Sequence, residues 1–238
     1  MMQLTKYLNP GQKVRLKVIK PEEEKAKFEA LTGYVEECRP GNLDLELPYQ
    51  VREEESYPFT SGMPLELVTE NFGLGLRLSA HFVEKVSDQV IRIEVDEQLQ
   101  AFQQRLKKRA DSRVGLRFNK GQGTLRTLRE RWRKNTEILH SGRDLSSLKS
   151  FSECEANLSS GGIRFEITIP VEIADIFLLL LDLGDGGPPV CALAEAVWTS
   201  EEMAKSGQMV VGLQFIAIME QDQKRIDEFV KRKGSGSQ

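Results

Sequence analysis

Histidine and cysteine are scarce: the 238 residues hold two of the first, His81 and His140, and three of the second, Cys38, Cys154 and Cys191. The cysteines are odd in number, far apart and without a CxxC, so neither a disulfide framework nor a structural zinc site is expected. With the histidines in separate regions, no Ser/His/Asp or Cys/His set suggests itself, and the chain is expected to be no enzyme and to carry no cofactor. Long apolar runs are missing as well. The longest, 176–181, falls far short of the roughly 20 residues that span a bilayer. The N-terminus has no apolar core of signal-peptide type, which leads us to expect a cytoplasmic protein without a transmembrane segment. Neither sign of charge dominates, since 33 Lys and Arg face 36 Asp and Glu for a net charge of −3. Bulk polyanion binding is therefore not indicated, nucleic acid is a disfavoured partner, and any affinity for phosphate must come from a local cluster of cations. The glycine-rich stretches KGQG (120–123) and GDGG (184–187) lack the Lys-Ser/Thr ending and the strand-to-helix context of phosphate loops.

What the sequence does contain is period-two alternation. Val14, Leu16 and Val18 alternate with Arg15 and Lys17, and Leu43, Leu45 and Leu47 with Asp44 and Glu46. Leu65 and Leu67, then Leu74, Leu76 and Leu78, then Val90, Ile91, Ile93 and Val95 continue the series between Gly and Pro punctuation. Such spacing predicts a small antiparallel barrel over 1–97. Residues 98–113 are polar and end strongly basic, and read as a linker. A second β-rich region follows over 114–233, with Ile163, Phe165, Ile167 and Ile169 alternating against Arg164, Glu166 and Thr168. A closing helix over 221–231 presents Ile226, Phe229 and Val230 on one face, and GSGSQ at 234–238 reads as a flexible tail. The fold class is thus mainly β, with two small antiparallel β-barrel domains in tandem. The second barrel is interrupted by an insertion, about 120–150, holding a basic amphipathic helix. In it Leu125, Leu128, Trp132 and Leu139 fall at helical spacings, with Arg126, Arg129, Arg131, Arg133 and Lys134 on the other faces.

Two short motifs flank that helix. The first is RADSR, an RxxxR formed by Arg109 and Arg113 and preceded by Lys108. The second is NLSSGG, an NxSxxG formed by Asn157, Ser159 and Gly162, with Gly161 beside them. Alone each is weak, because Asn, Ser and Gly are simply good turn formers, and Asn-Leu-Ser is also a formal glycosylation sequon of no relevance without secretion. Their order is informative: an RxxxR ahead of a β domain, then an NxSxxG opening a strand within it.

Together with the ending VGLQFIAIMEQDQKRIDEFVKR, these motifs resemble the PilZ family, whose members bind cyclic di-GMP through RxxxR and [D/N]xSxxG. The N-terminal sheet domain resembles the partner domain of flagellar-brake PilZ proteins. The resemblance implies that Arg109 and Arg113 hold phosphates and stack on or bond guanines. Asn157 and Ser159 would read guanine, Gly161 and Gly162 shape the turn, and Lys108 fills the family's preceding basic position. It implies a receptor acting through an unidentified protein partner in motility, adhesion or secretion, by a shift between domain arrangements. The chemistry is self-consistent: a guanidinium bonds phosphate bidentately, pairs with guanine O6 and N7 and stacks on a purine, none of which lysine does as well. An asparagine amide and a serine hydroxyl supply donors and acceptors for a base edge, and glycines admit close approach to the backbone.

The stretch between the motifs is longer than the family usually has, because the arginine-rich helix lies within it. That helix is open to three roles: further cations for the ligand, a block on the site, or a partner surface. The alternative to a receptor is a nucleic-acid-binding or scaffolding protein that works through this helix and has a degenerate PilZ site.

Overall fold

The computed structural model describes residues 7–19, 27–49, 57–71, 74–96, 99–102, 109–141, 151–200 and 209–235. The chain divides into two compact units, one of residues 1–106 with 124–126, the other of 107–123 with 127–238.

In the first unit the alternating segments become β1 (Lys13–Val18), β2 (Lys27–Arg39), β3 (Asn42–Glu46), β4 (Pro64–Asn71), β5 (Leu74–Lys85) and β6 (Val90–Val95). Antiparallel pairings β1–β2, β2–β3, β3–β6, β6–β5, β5–β4 and β4–β1 close these six strands into a ring. Period two places every second side chain inside, so Leu16, Leu43, Leu45, Leu67 and Ile93 are fully buried. A short β7 (Gln100–Phe102) pairs with β5, which carries this barrel past residue 97, where the sequence pattern ended it.

The buried Asp44 carboxylate of this unit is held by an arginine. Arg92 donates from Nε to Asp44 Oδ1 at 2.7 Å and from Nη2 to Asp44 Oδ2 at 2.9 Å. The bidentate pair holds the Asp44 carboxyl below the usual carboxylate range, its hydrogen bond from Arg92 outweighing the opposing effect of burial. A depressed folded-state value stabilises the fold above the unfolded carboxyl's value near 3.9, and that contribution fades as pH falls through the folded value. Asp44→Ala should therefore cost about 2 kcal/mol at neutral pH, with the loss shrinking toward pH ~2. Thermal melts of both proteins across that range measure it.

The second unit holds β8 (Ala110–Lys120), all but the first two residues of α1 (Leu125–His140), β9 (Ser152–Ser159), β10 (Gly162–Ile167), β11 (Ile176–Asp182), β12 (Val190–Thr199), β13 (Met209–Met219) and α2 (Glu220–Ser235). Its strands close in the order β8–β9–β10–β13–β12–β11 and back to β8, all antiparallel. Phe177, Leu179, Leu181 and Phe215 fill the interior with no exposure, and the Phe118 ring packs at 5.7 Å from that of Phe165 and 6.1 Å from that of Phe177. Among the described residues two closed barrels and two helices form the mainly β architecture that the alternation predicted.

Both helices cover barrel surface. In α2, Ile226, Phe229 and Val230 are buried as the sequence pattern required, and the helix packs on β8, β9 and β13. Leu128, Trp132 and Leu139 of α1 are also buried, and the Trp132 indole N–H donates to the Cys191 carbonyl of β12 at 3.0 Å. That bond satisfies the one polar atom of an otherwise apolar anchor.

Two expected boundaries are corrected. The linker read over 98–113 is interrupted by β7 and ends where β8 begins at Ala110, so Arg113 belongs to a strand. The tail read from 234 is shorter, since α2 runs through Ser235, its last turn supported by Lys233 Nζ over the Phe229 ring at 5.7 Å.

Candidate functional site

The RxxxR and NxSxxG motifs meet because β8 and β9 are neighbours in the second barrel. Their antiparallel register pairs Ala110 with Leu158, Asp111 with Asn157, Ser112 with Ala156 and Arg113 with Glu155. Alternation turns Ser112 and Val114 inward, and Asp111 and Arg113 to the outer face. On that face Arg113 and Asn157 are diagonal cross-strand neighbours, which places their Cα atoms about 7–8 Å apart. Arg109 is exposed one residue before β8, next to the Ala110–Leu158 pair. Lys108 lies outside the described residues.

Each motif residue has a local reason for its conformation. Asn157 Nδ2 donates to Asp111 Oδ1 at 2.8 Å, tying the two motifs together by side chains as well as backbone. Ser159 ends β9 and Gly162 starts β10, leaving a two-residue hairpin loop of Ser160 and Gly161. The buried Ser159 hydroxyl spans this loop, accepting from Gly161 N at 3.4 Å and donating to Gly162 O at 3.3 Å. Gly161 O accepts from Phe215 N at 2.9 Å, and Ser160 O accepts from Gln223 Nε2 of α2 at 3.0 Å. Gly162 faces β13 so closely that a Cβ there would stand 2.3 Å from Leu213 O. Its lack of a side chain is thus a demand of strand packing.

Two carboxylates at this site were missed from sequence. Arg113 donates from Nε to Glu155 Oε1 at 2.8 Å, and its Nη1 lies 3.3 Å from Glu153 Oε2. The Glu155 hydrogen bond leads in raising the guanidinium's pKa, with the charges of Glu155 and Glu153 adding to it. The signal for both was present in SECEANLS, where period two puts Glu153, Glu155 and Asn157 on one face of β9. The arrangement is an exposed cation held by two exposed acids beside an amide, suited to exchanging carboxylate for a phosphate oxygen.

The cysteines lie elsewhere in character. All three are free, burial raises each thiol, and Cys191 is pushed up to about 12, so at neutral pH they are thiols and not reactive thiolates. Among the described residues no group of three or more His, Cys, Asp or Glu side chains is placed to hold a metal ion.

The model of the family described as PilZ domain matches residues 127–232. The second unit carries a PilZ domain. The matched range begins within α1, runs through β9 to β13 and ends in α2, so Asn157 to Gly162 lie inside it, while Arg109 and Arg113 precede it. Among solved structures, the Bacillus subtilis inhibitor of motility MotI/DgrA is 15% identical, with 97% of this chain and 100% of that one covered at a TM-score of 0.41. YcgR from Escherichia coli, solved in complex with c-di-GMP, is 12% identical, covering 95% of this chain and 85% of that one at a TM-score of 0.36. The K. pneumonia MrkH–c-di-GMP complex is 12% identical, covering 94% and 88% at a TM-score of 0.36. At identities this low the assignment rests on the PilZ-domain match alone and extends to residues 127–232. No curated protein matches the sequence. Among the described residues no helix is long and apolar enough to cross a membrane.

Proposed function

We propose that this chain is a cytoplasmic receptor for cyclic di-GMP, working through its PilZ domain, and not an enzyme. The observation that supports it is the placing of Arg113 and Asn157 as diagonal neighbours on the outer face of β8 and β9, with Arg109 at the entry to β8. In this reading Arg113 leaves Glu155 and Glu153 for a phosphate of the ligand, Arg109 and Lys108 add charge from the preceding segment, and Asn157 reads a guanine edge. Ser159, Gly161 and Gly162 keep the hairpin in shape behind it. Ligand held by both the strand and the segment leading into it would restrict that segment and shift the population of domain arrangements, which a protein partner of a motility, adhesion or secretion machine then senses.

Calorimetric titration of the full chain with cyclic di-GMP tests this directly. Saturable binding is expected, weakened about tenfold or more in Asn157→Ala. An absence of heat up to tens of micromolar ligand, about −6 kcal/mol of binding free energy, would remove the proposal.

A further inference from the structure

The outward row of β8 does not end at Arg113. Four residues on, about 13 Å along the strand, Arg117 occupies the same face, followed by Asn119. Register sets Arg117 beside Leu180 and Asn119 beside Leu178 of β11. Helix α1 passes over these residues and contributes Arg131 and Asn135. A cleft of about 350 Å³ remains between them. Its end is pinched at Gly121, where a Cβ would stand 2.6 Å from Leu128 Cδ1 and 3.0 Å from Ile176 O. The insertion helix is therefore seated at Gly121 through Leu128 and on β12 through Trp132, and the cleft opens beside Arg131 and Asn135.

The electrostatics of this cleft differ from those around Arg113 and Arg225. Arg113 is held by Glu153 and Glu155, and Arg225 by Asp185 and Asp222. Lys120, at the rim, is held by Asp175 at 2.6 Å. By contrast no acidic side chain lines the cleft. Among the described residues, the guanidinium groups of Arg117 and Arg131 have neither a carboxylate nor a hydrogen-bond acceptor. Two guanidinium groups brought to one cavity without counter-charge repel each other, and an anion between them removes that cost. The floor is apolar, Leu178 and Leu180, and Asn119 and Asn135 add amide groups to the wall. The volume lies at the small end of ligand pockets.

We propose that this cleft is a second anion site, taking a small phosphate ester of mononucleotide size. The phosphate would be held between Arg117 and Arg131, and the flat organic part would lie on Leu178 and Leu180. The proposal does not depend on cyclic di-GMP binding at Arg113. It gives the inserted basic helix a role that needs no macromolecule: α1 supplies one jaw of the site.

The test is calorimetric titration of the full chain with GMP, AMP and inorganic pyrophosphate in turn, repeated for Arg131→Ala, Arg131→Lys and Arg113→Ala. Position 131 is exposed on a helix, where alanine and lysine are both well tolerated, and melting curves verify that each variant folds. Saturable binding of at least one probe, weakened about tenfold or more in Arg131→Ala, partly restored in Arg131→Lys and within about twofold of wild type in Arg113→Ala, is the expected result. Pyrophosphate binding as well as the nucleotides would identify the phosphate alone as sufficient, whereas nucleotide binding alone would show that the apolar floor is used. No saturation by any probe up to about 10 mM, or binding indifferent to Arg131→Ala, overturns the site. Binding lost equally in Arg113→Ala would overturn it as a separate site.

Discussion

Arg113→Ala should weaken cyclic-di-GMP binding by about 2 to 3 kcal/mol, a factor of roughly 30 to 150, while leaving the melting temperature nearly unchanged. The two halves of that expectation come from one geometry. Arg113 is 64% exposed and its partners Glu155 and Glu153 are 71% and 77% exposed, so the ion pairs lost in the free protein are worth little. A phosphate gripped by the same guanidinium gains charge-assisted, two-point hydrogen bonds that alanine cannot replace. The carboxylates compete with that phosphate for the same nitrogens. Glu155→Gln should accordingly tighten binding by about two- to fivefold, since it removes an exposed competitor for the guanidinium, and the gain should shrink at high salt. Both substitutions are measured in the same titration. Wild-type affinity in Arg113→Ala would show that the outer face of β8 is not where the ligand's phosphate sits.

Where the chain alternates cleanly, the elements could be read before any coordinates. KVRLKV, VIRIEV and GIRFEI are strands whose buried positions follow period two, and NLDLE departs from it only because Asp44 is buried by its arginine partner. β2 escaped notice because Lys27–Arg39 carries Gly33 in its middle and a register shift between Val35 and Glu37, which moves its apolar residues out of phase. The beginning of β8 was read as linker for a related reason. Its outward residues Asp111 and Arg113 are charged, and the inward one between them, Ser112, is a small buried polar residue, so ADSR shows no apolar beat until Val114. That misreading hid the most useful fact about the site, that RxxxR and NxSxxG lie on hydrogen-bonded strands. The stripe Leu125, Leu128, Trp132 and Leu139 was legible, and all four are buried. Arg117 was not singled out, because its meaning depends on β11 and α1, which only the closed barrel brings beside it.

Gly162→Ala should destabilise the second barrel by about 3 kcal/mol, lowering its melting temperature by roughly 6 to 12 °C in the absence of any ligand. The added Cβ would stand 2.3 Å from Leu213 O and 3.2 Å from Gln214 Cα, and both obstacles are backbone atoms of β13 that no rotamer change can move aside. Relief requires β10 and β13 to separate at the Gly162–Gln214 pair, beside the bond from Phe215 N to Gly161 O. Those strands also close the barrel, so the strain reaches the core around Phe215 and not merely the surface turn. The alternative origin of a glycine in this motif, close approach of a ligand to the backbone, makes the opposite forecast: intact melting without ligand and impaired titration. Thermal melts of the ligand-free variant separate the two. A melting temperature within about 2 °C of wild type would return Gly162 to the ligand, whereas a large drop assigns it to the seam between β10 and β13, with any loss of affinity following from the displaced hairpin.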